Sequence, residues 1–311
     1  MYKNICFSGG HVKTLAFLGV LRRLHELKML TSFQNFIGSS AGAFIATVVA
    51  SRVPFHKIEE IMLWVIHQNT LNIDFASFLN FSNEFGLDDG QQMERVIDEV
   101  LIKCNLSKDI TFMDYAKQTG SHLIICGSNI TSRRLEYFEV NTTPYMRVST
   151  AIRISAGLPF IFKPYKYNES LYVDGGLFDN FPIHYFRRTR YLHDTIGVNI
   201  KTIVKEMKTL FDYTLSIVHG VIDKANQYHH YVVSNDDKGE KTETTSLTTN
   251  YHVCDIIVEE EKYFDFEKFQ FKLEDTRCHE LIQYGYDTFK KFYEELDSTK
   301  PTISLAERSP E

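Results

Sequence analysis

The residues best suited to chemistry fall in three short stretches. Gly38-Ser39-Ser40-Ala41-Gly42 follows the apolar pair Phe36-Ile37 and leads into Ala43-Phe44-Ile45. Gly-x-Ser-x-Gly between a strand and a helix is the pattern of a nucleophile elbow, a sharp turn that exposes the hydroxyl of its central serine above a sheet. Its glycines are needed because a side chain at either place crowds the neighbouring strand or the helix behind the turn. A helix whose N-cap is Ser40 fits the same five residues. The second stretch is Ser8-Gly9-Gly10-His11-Val12-Lys13-Thr14. Amides of a Gly-Gly turn that opens a helix sit at the positive end of its dipole and suit a phosphate or a transient oxyanion. Nucleotide P-loop and dinucleotide spacings are both missing here, and a plain strand-to-helix turn is the competing reading. In the third stretch, Leu171-Tyr172-Val173 delivers Asp174-Gly175-Gly176. This is either an Asp-Gly hairpin turn or a carboxylate displayed at the carboxyl edge of a sheet, where α/β proteins place ligands.

Strands and helices alternate around these stretches. Asn4 to Phe7 and Phe33 to Gly38 read as strands, and Leu15, Leu18, Leu21, Leu24 and Leu27 recur at near-helical spacing. The segment from Ala41 to Ala50 is apolar on all sides, which predicts a buried helix. Pro54 opens another helix through about Gln68. Leu71 to Phe85 carries Phe75, Phe78, Phe81 and Phe85 and is expected to be a core-packing loop, with a lid or acyl-chain cleft as the second reading. Gly86 to Gly90 supplies turn and cap residues for a helix ending near Cys104, and Thr111 to Gln118 reads as a short capped helix. Leu123 to Cys126 and Arg134 to Val140 are strands, and Ser149 to Pro159 is a helix stopped before its proline. Further on, strands are expected at Thr195 to Ile200 and Tyr251 to Val258, helices at Phe211 to Tyr228 and Leu273 to Leu296, and an exposed loop at Val233 to Asn250. The order predicts an α/β fold with a mainly parallel sheet covered on both faces. One domain over residues 1–296 and a disordered tail over 297–311 are expected.

Composition bounds the function. The chain has 311 residues, 43% apolar, with a net charge of −6, so it can bury a large core and lacks the basic stripe of a nucleic-acid binder. Any membrane contact is therefore expected to be hydrophobic first. No segment approaches the roughly 20 apolar residues of a membrane span, and the amino terminus lacks the features of a secretion signal. Five scattered cysteines (Cys6, Cys104, Cys126, Cys254, Cys278) suggest neither a disulfide framework nor a zinc site. An intracellular, cytoplasmic setting, with peripheral membrane contact allowed, is expected.

Taken together, the Gly-Gly turn, the serine elbow and the Asp-Gly-Gly resemble the patatin-like acyl hydrolases and phospholipases. The matching residues are Ser8-Gly9-Gly10 with Lys13, Gly38 to Gly42, Arg153 and Pro159, and Asp174-Gly175-Gly176 followed by Asn180 and Pro182. The likeness covers roughly residues 3 to 200. It implies a three-layer α/β/α sandwich, Ser40 as nucleophile and Asp174 as proton acceptor, with no histidine in the machinery. It further implies an oxyanion hole from Gly9 and Gly10, with the His11 backbone as a further donor, supported by Lys13, Gly38, Gly42, Gly175 and Gly176. The implied substrate is a phospholipid or other lipid ester met at a lipid surface. No metal-ligand spacing is evident in the sequence, and neither cofactor nor nucleic acid is expected. An aspartate at its ordinary pKa of about 3.9 is a feeble base at neutral pH. Such a site must therefore hold Asp174 close to Ser40 and partly desolvated.

Two positions depart from the family pattern. His11 replaces a third glycine, and Thr14 replaces a glycine after the basic residue. A side chain at 11 restricts positive φ beside the oxyanion hole, which leaves Gly10 and the preceding amide as the expected principal donors. With the dyad and its glycines intact, the change is expected to be tolerated. Two rivals are a Ser-His-Asp α/β-hydrolase using His252 or His279 and a weakened lipid-binding or scaffold protein on a patatin fold.

Overall fold

The computed structural model describes residues 2–73, 75–188, 194–203, 220, 251–259, 264–265, 270–271 and 274–298. The amino half runs β1 (Asn4–Phe7), a 3-10 turn at His11–Leu15, α1 (Ala16–Glu26), β2 (Asn35–Gly38), α2 (Ala41–Ala50), α3 (Phe55–Ile66), α4 (Phe75–Glu84), β3 (Gly86–Asp88), α5 (Gln91–Lys103) and α6 (Phe112–Thr119). It continues with β4 (His122–Asn129), β5 (Arg134–Phe138), α7 (Val148–Ser155), β6 (Phe160–Phe162), β7 (Tyr165–Tyr167) and β8 (Ser170–Asp174). After α8 (Tyr185–Arg188) come β9 (Thr195–Ile203), β10 (His252–Glu259) and α9 (Asp275–Ser298). The expected helix over 211–228, apart from Gly220, and the expected loop over 233–250 lie outside the described residues, as does the tail beyond Ser298.

The main sheet has the order β10-β9-β1-β2-β4-β8-β7, with β5 also paired to β4. From β10 to β4 the strands are parallel, whereas β5, β7 and β8 run antiparallel to their neighbours. Side chains alternate across a strand, and both faces here are apolar. Ile5, Phe7, Phe36, Leu123 and Ile125 join the large core built with α1, α2, α3, α5 and α9. Cys6, Ile37, Ile124 and Cys126 face the other way, against Phe181, Ile183 and Phe186. The α/β sandwich is thus asymmetric among the described residues, with a thin cover on the second face. All five cysteines are buried and unpaired.

β10 and α9, which carry no recognised motif, pack closely on the amino-terminal part of the chain. α9 crosses α1 at two glycines: Gly19 lies against the backbone of Ile282 and Tyr286, and Gly285 against that of Ala16. A Cβ at either place would collide with backbone, so the two helices approach more closely than larger residues allow.

A polar seam crosses the amino ends of the strands. Asn4 donates to Thr195 Oγ1 (3.0 Å), Asn35 donates to Asn4 Oδ1 (2.7 Å), and His122 Nδ1 meets Asn35 Oδ1 at 3.1 Å. His122 Nε2 then lies 2.6 Å from Glu139 Oε2, while the Tyr185 hydroxyl donates to Oε1. Burial pushes the Glu139 carboxyl up, but the hydrogen bonds from His122 and Tyr185 outweigh it and hold the group below the usual range. His122 is therefore a structural histidine that satisfies polar groups inside the sheet.

The segment from Leu71 to Phe85 differs from the expected core-packing loop. Phe75–Glu84 form α4, whose Phe81 ring meets Phe160 of the separate strand pair β3–β6, while Leu71 is buried in the core as expected. The spacing of Phe75, Phe78 and Phe81 is helical. Position outside the main sheet leaves Phe78, Leu79 and Phe85 exposed by 47, 66 and 62%. Two smaller differences follow the same logic of context: Gly86–Asp88 pairs as a strand with β6 ahead of the helix cap at Gly90, and α9 runs through Ser298, two residues into the expected tail.

Candidate active site

The elbow sits where β2 ends and α2 begins. Gly38 lies against the backbone of Gly42, and Gly42 against the carbonyls of Phe7 and Ser8, so neither place admits a Cβ. Ser40 itself has φ 54° and ψ −128°, a conformation that L-residues rarely adopt. Its side chain does not cap the helix. Ser40 Oγ instead donates to Asp174 Oδ2 over 2.7 Å, across 134 residues of sequence.

Strand direction brings the carboxylate there. Gly38 pairs with Ile125 and Asp174 with Gly127, so the last residue of β8 stands two residues farther along β4 than the end of β2. Because β8 is antiparallel, Asp174 comes down from the carboxyl edge of the parallel strands toward the elbow, a direction the strand signal alone does not carry. Asp174 Oδ1 accepts the Gly176 amide at 2.7 Å, which turns Oδ2 to Ser40. Both residues are buried. Burial pushes the Asp174 carboxyl up to about 7, against the lowering effect of the hydrogen bonds from Ser40 and Gly176. Gly175 packs against Cys126 of β4.

The end of α7 and the residues just after it hold both partners by their backbones. Ser40 N–H donates to Ser155 Oγ (2.9 Å) and Asp174 N–H to the Gly157 carbonyl (2.9 Å). Sequence reasoning missed Ser155, whose only signal is its place in a helix end ahead of Pro159. Ser155→Ala leaves the buried Ser40 amide without its acceptor, and the expected loss is about 1–3 kcal/mol of stability, read as a lower urea midpoint. Arg153 belongs to the same helix. Its buried guanidinium donates to the Asp89 carbonyl (3.0 Å) and lies 5.0 Å from the Phe162 ring centre, which ties α7 to the start of α5 and to β6.

The Gly-Gly turn abuts the elbow, and here one expectation is corrected. Gly9 N–H donates to the Asn180 carbonyl at 3.0 Å, so it is already engaged and is not a free oxyanion donor. A Cβ on Gly9 would sit 3.0 Å from Ser40 Cβ, which places this backbone beside the hydroxyl. Among the described residues the Gly10 amide makes no hydrogen bond. Ser8 Oγ accepts the Ile200 amide (2.8 Å) and donates to the Gly9 carbonyl (2.9 Å), fixing the turn to β9. Lys13 is buried and donates to Thr202 Oγ1 of the same strand. His11 adopts φ 51°, the left-handed conformation that favours glycine. Thr14 Oγ1 donates to the His11 carbonyl (2.6 Å), so the second departure from the family pattern braces the first.

A cavity of about 180 Å³ opens beside Ser40. Its walls include Phe44, Met62, Ile66, Met93, Ile97 and Leu158, and His11 and Ser40 lie on its surface. The proposed alternative histidines are elsewhere. His252 opens β10 at the amino edge of the sheet and meets the Tyr2 ring, and His279 bonds the Asp275 carbonyl on an exposed face of α9.

The chain has relatives among known proteins. Residues 5–187 match the family described as patatin-like phospholipase. The chain belongs to that family. It is 32% identical over 182 residues to a protein named probable lipid hydrolase 463L of Invertebrate iridescent virus 6, a match that spans 58% of this chain and 62% of that protein. It is 25% identical over 291 residues, 93% of each chain, to uncharacterized protein R571 of Acanthamoeba polyphaga mimivirus. Among solved structures, VipD from Legionella pneumophila matches in fold, with a TM-score of 0.58 at 14% identity, over 94% of this chain and 67% of that one. Among the described residues no group of metal-ligating side chains converges, and no helix is long and apolar enough to cross a membrane.

Proposed function

We propose that this patatin-like protein is a lipid acyl hydrolase, a phospholipase A-type esterase working through a Ser40–Asp174 dyad and an acyl-enzyme. The observation that carries the reading is the 2.7 Å hydrogen bond from Ser40 Oγ to Asp174 Oδ2 at the wall of an apolar cavity. As Oγ attacks the ester carbonyl, Asp174 takes its proton, and the carbonyl oxygen becomes an oxyanion facing the Gly10 amide, with the His11 amide as the second donor. Collapse breaks the bond to the alcohol, which leaves with the proton from Asp174. Water then attacks the acyl-Ser40, giving its proton to Asp174 and releasing the fatty acid as that proton returns to Oγ. The carboxylate works as a base near neutral pH because burial brings its pKa to about 7. The acyl chain occupies the cavity lined by α3, α5 and the Leu158 segment, and the substrate is met in transient contact with a lipid surface.

The deciding experiment is incubation with a fluorophosphonate probe followed by peptide mapping. Label on Ser40 is the expected outcome; an unlabelled protein, or label on another serine, overturns the reading in favour of a lipid-binding scaffold. His11 lines the acyl cavity, so His11→Gly is expected to widen it. The variant should gain in kcat/KM on long-chain relative to short-chain p-nitrophenyl esters, by about 1–3 kcal/mol of discrimination at most.

A further inference from the structure

The unit formed by α4, β3 and β6 carries a cluster of outward apolar side chains beside the cavity. Leu79, Phe85 and Phe78 project from the helix and its carboxyl end, and Phe160 of β6 is 43% exposed. Helix end and strand meet: Gly86, next to Phe85, pairs with Phe160, and the Phe81 and Phe160 rings lie 6.5 Å apart. The chain on either side of Phe160 turns inward, where Leu158, Ile161 and Phe162 line the acyl cavity. One short strand thus presents an aromatic ring outward and the cavity wall inward.

Charge separates the kinds of lipid surface this face could meet. Residues 58–94 contain no lysine or arginine. The nearby Lys163 is paired with Glu84 at the end of α4. A face that docks on anionic lipid carries basic residues around its apolar centre, and this one does not. At ten residues, α4 is too short to cross a bilayer and is suited to lie on one.

We propose that Leu79, Phe85, Phe78 and Phe160 form an interfacial docking face for a zwitterionic lipid surface, which sets the cavity at the water–lipid boundary. The inference rests on the acyl-hydrolase reading for its purpose. Binding by such a face scales with buried apolar area and is little affected by salt.

The test is flotation of the full chain carrying Ser40→Ala, so that no hydrolysis alters the vesicles, with phosphatidylcholine vesicles and with vesicles that also contain phosphatidylserine. The expected result is binding to phosphatidylcholine alone that persists at high salt. The further pair Leu79→Gln and Phe85→Asn should lower partitioning about tenfold or more. Both changes are mild for the fold: Gln is a good helix former, and Asn suits the φ of 58° at position 85. Made in the parent protein, the pair should leave turnover of a water-soluble short-chain ester unchanged. Unaltered vesicle binding by the pair, no binding to phosphatidylcholine, or binding that needs phosphatidylserine and is lost in salt each overturns the docking face. So does a parent protein that dimerises in solution and becomes monomeric with the pair, since a second copy then covers the patch. Fluorophosphonate labelling of Ser40 with no vesicle binding would sink the docking face alone and leave the hydrolase standing.

Discussion

Ser40→Ala is expected to lower ester turnover by about 10⁴-fold or more and to abolish fluorophosphonate labelling. The size follows from the chemistry, because no other hydroxyl is hydrogen-bonded to Asp174 among the described residues. A companion variant separates chemistry from strain. Ser40 is held at φ 54°, ψ −128°, where a Cβ is unfavourable. Ser40→Gly removes the Cβ as well as the hydroxyl, so it should be as inactive as Ser40→Ala yet more stable than it by about 1 kcal/mol, read from denaturant midpoints. An alanine variant as stable as the glycine variant would mean that the elbow stores no strain. Loss of the hydroxyl also removes a hydrogen bond that lowers the Asp174 pKa, so in either variant Asp174 should titrate above its present value of about 7.

Asp174→Asn should lower turnover on a similar scale, by about 10⁴-fold, because an amide accepts no proton from Ser40. Its effect on stability runs the other way. The folded pKa of Asp174 is raised from 3.8 to about 7, mainly by burial. Below pH 4 the carboxyl is neutral both folded and unfolded, and the buried group carries no ionic penalty. Between about 4 and 7 the unfolded chain ionises while the folded one resists, so stability falls as pH rises through that window. Above pH 7 the penalty is fully present, at most a few kcal/mol given about 1.4 kcal/mol per pH unit of displacement. The asparagine variant should therefore unfold at a higher temperature than the parent at pH 8 and at nearly the same temperature at pH 4. Asp179, which burial also pushes up to about 7, remains in both proteins, so the difference between them reports Asp174. In the parent, the rate should climb with pH through about 7 as the base loses its proton. A rate that is flat from pH 5 to 9 would rule out Asp174 as the base.

Activity and stability are thus expected to oppose each other at one residue. A carboxylate left in water would be cheaper to fold and too weak a base to use. The burial that raises the Asp174 pKa comes from the same packing, through Gly175 on Cys126 and the Gly157 carbonyl on its amide, that locks it in place.

How much of this was legible beforehand can be traced residue by residue. The glycines at 38 and 42 were readable because close backbone approach admits no other residue, so the elbow appears in the sequence as an absence of side chains. The apolar runs announced their strands because both faces of the sheet are buried. Thr111 was readable as a cap because its partner, the amide of Asp114, is local. The aromatic segment at 71–85 differs from its expected loop because Phe75, Phe78 and Phe81 follow helical spacing, while which of its side chains are buried depends on packing that no local pattern carries. Gly9 was misassigned as a donor because its amide is used by the carbonyl of Asn180, which is remote in the chain.

By itself, the sequence determined the parts: a serine on a glycine elbow, a Gly-Gly turn ahead of it, an aspartate followed by two glycines, and an alternation of strands and helices that fits one kind of sheet. These are local properties, set by sterics and periodicity within a few residues. Only the tertiary structure decided that β8 runs against its neighbours and so brings Asp174 to Ser40. The same holds for the clamp of α7 on both amides, and for α9, which closes on α1 through paired glycines. It also engaged the Gly9 amide with the remote Asn180 carbonyl and left that of Gly10 without a partner among the described residues. The physical reason is common to all four. A hydrogen bond or close contact between residues far apart in the chain depends on strand direction and helix crossing, and no local pattern encodes either.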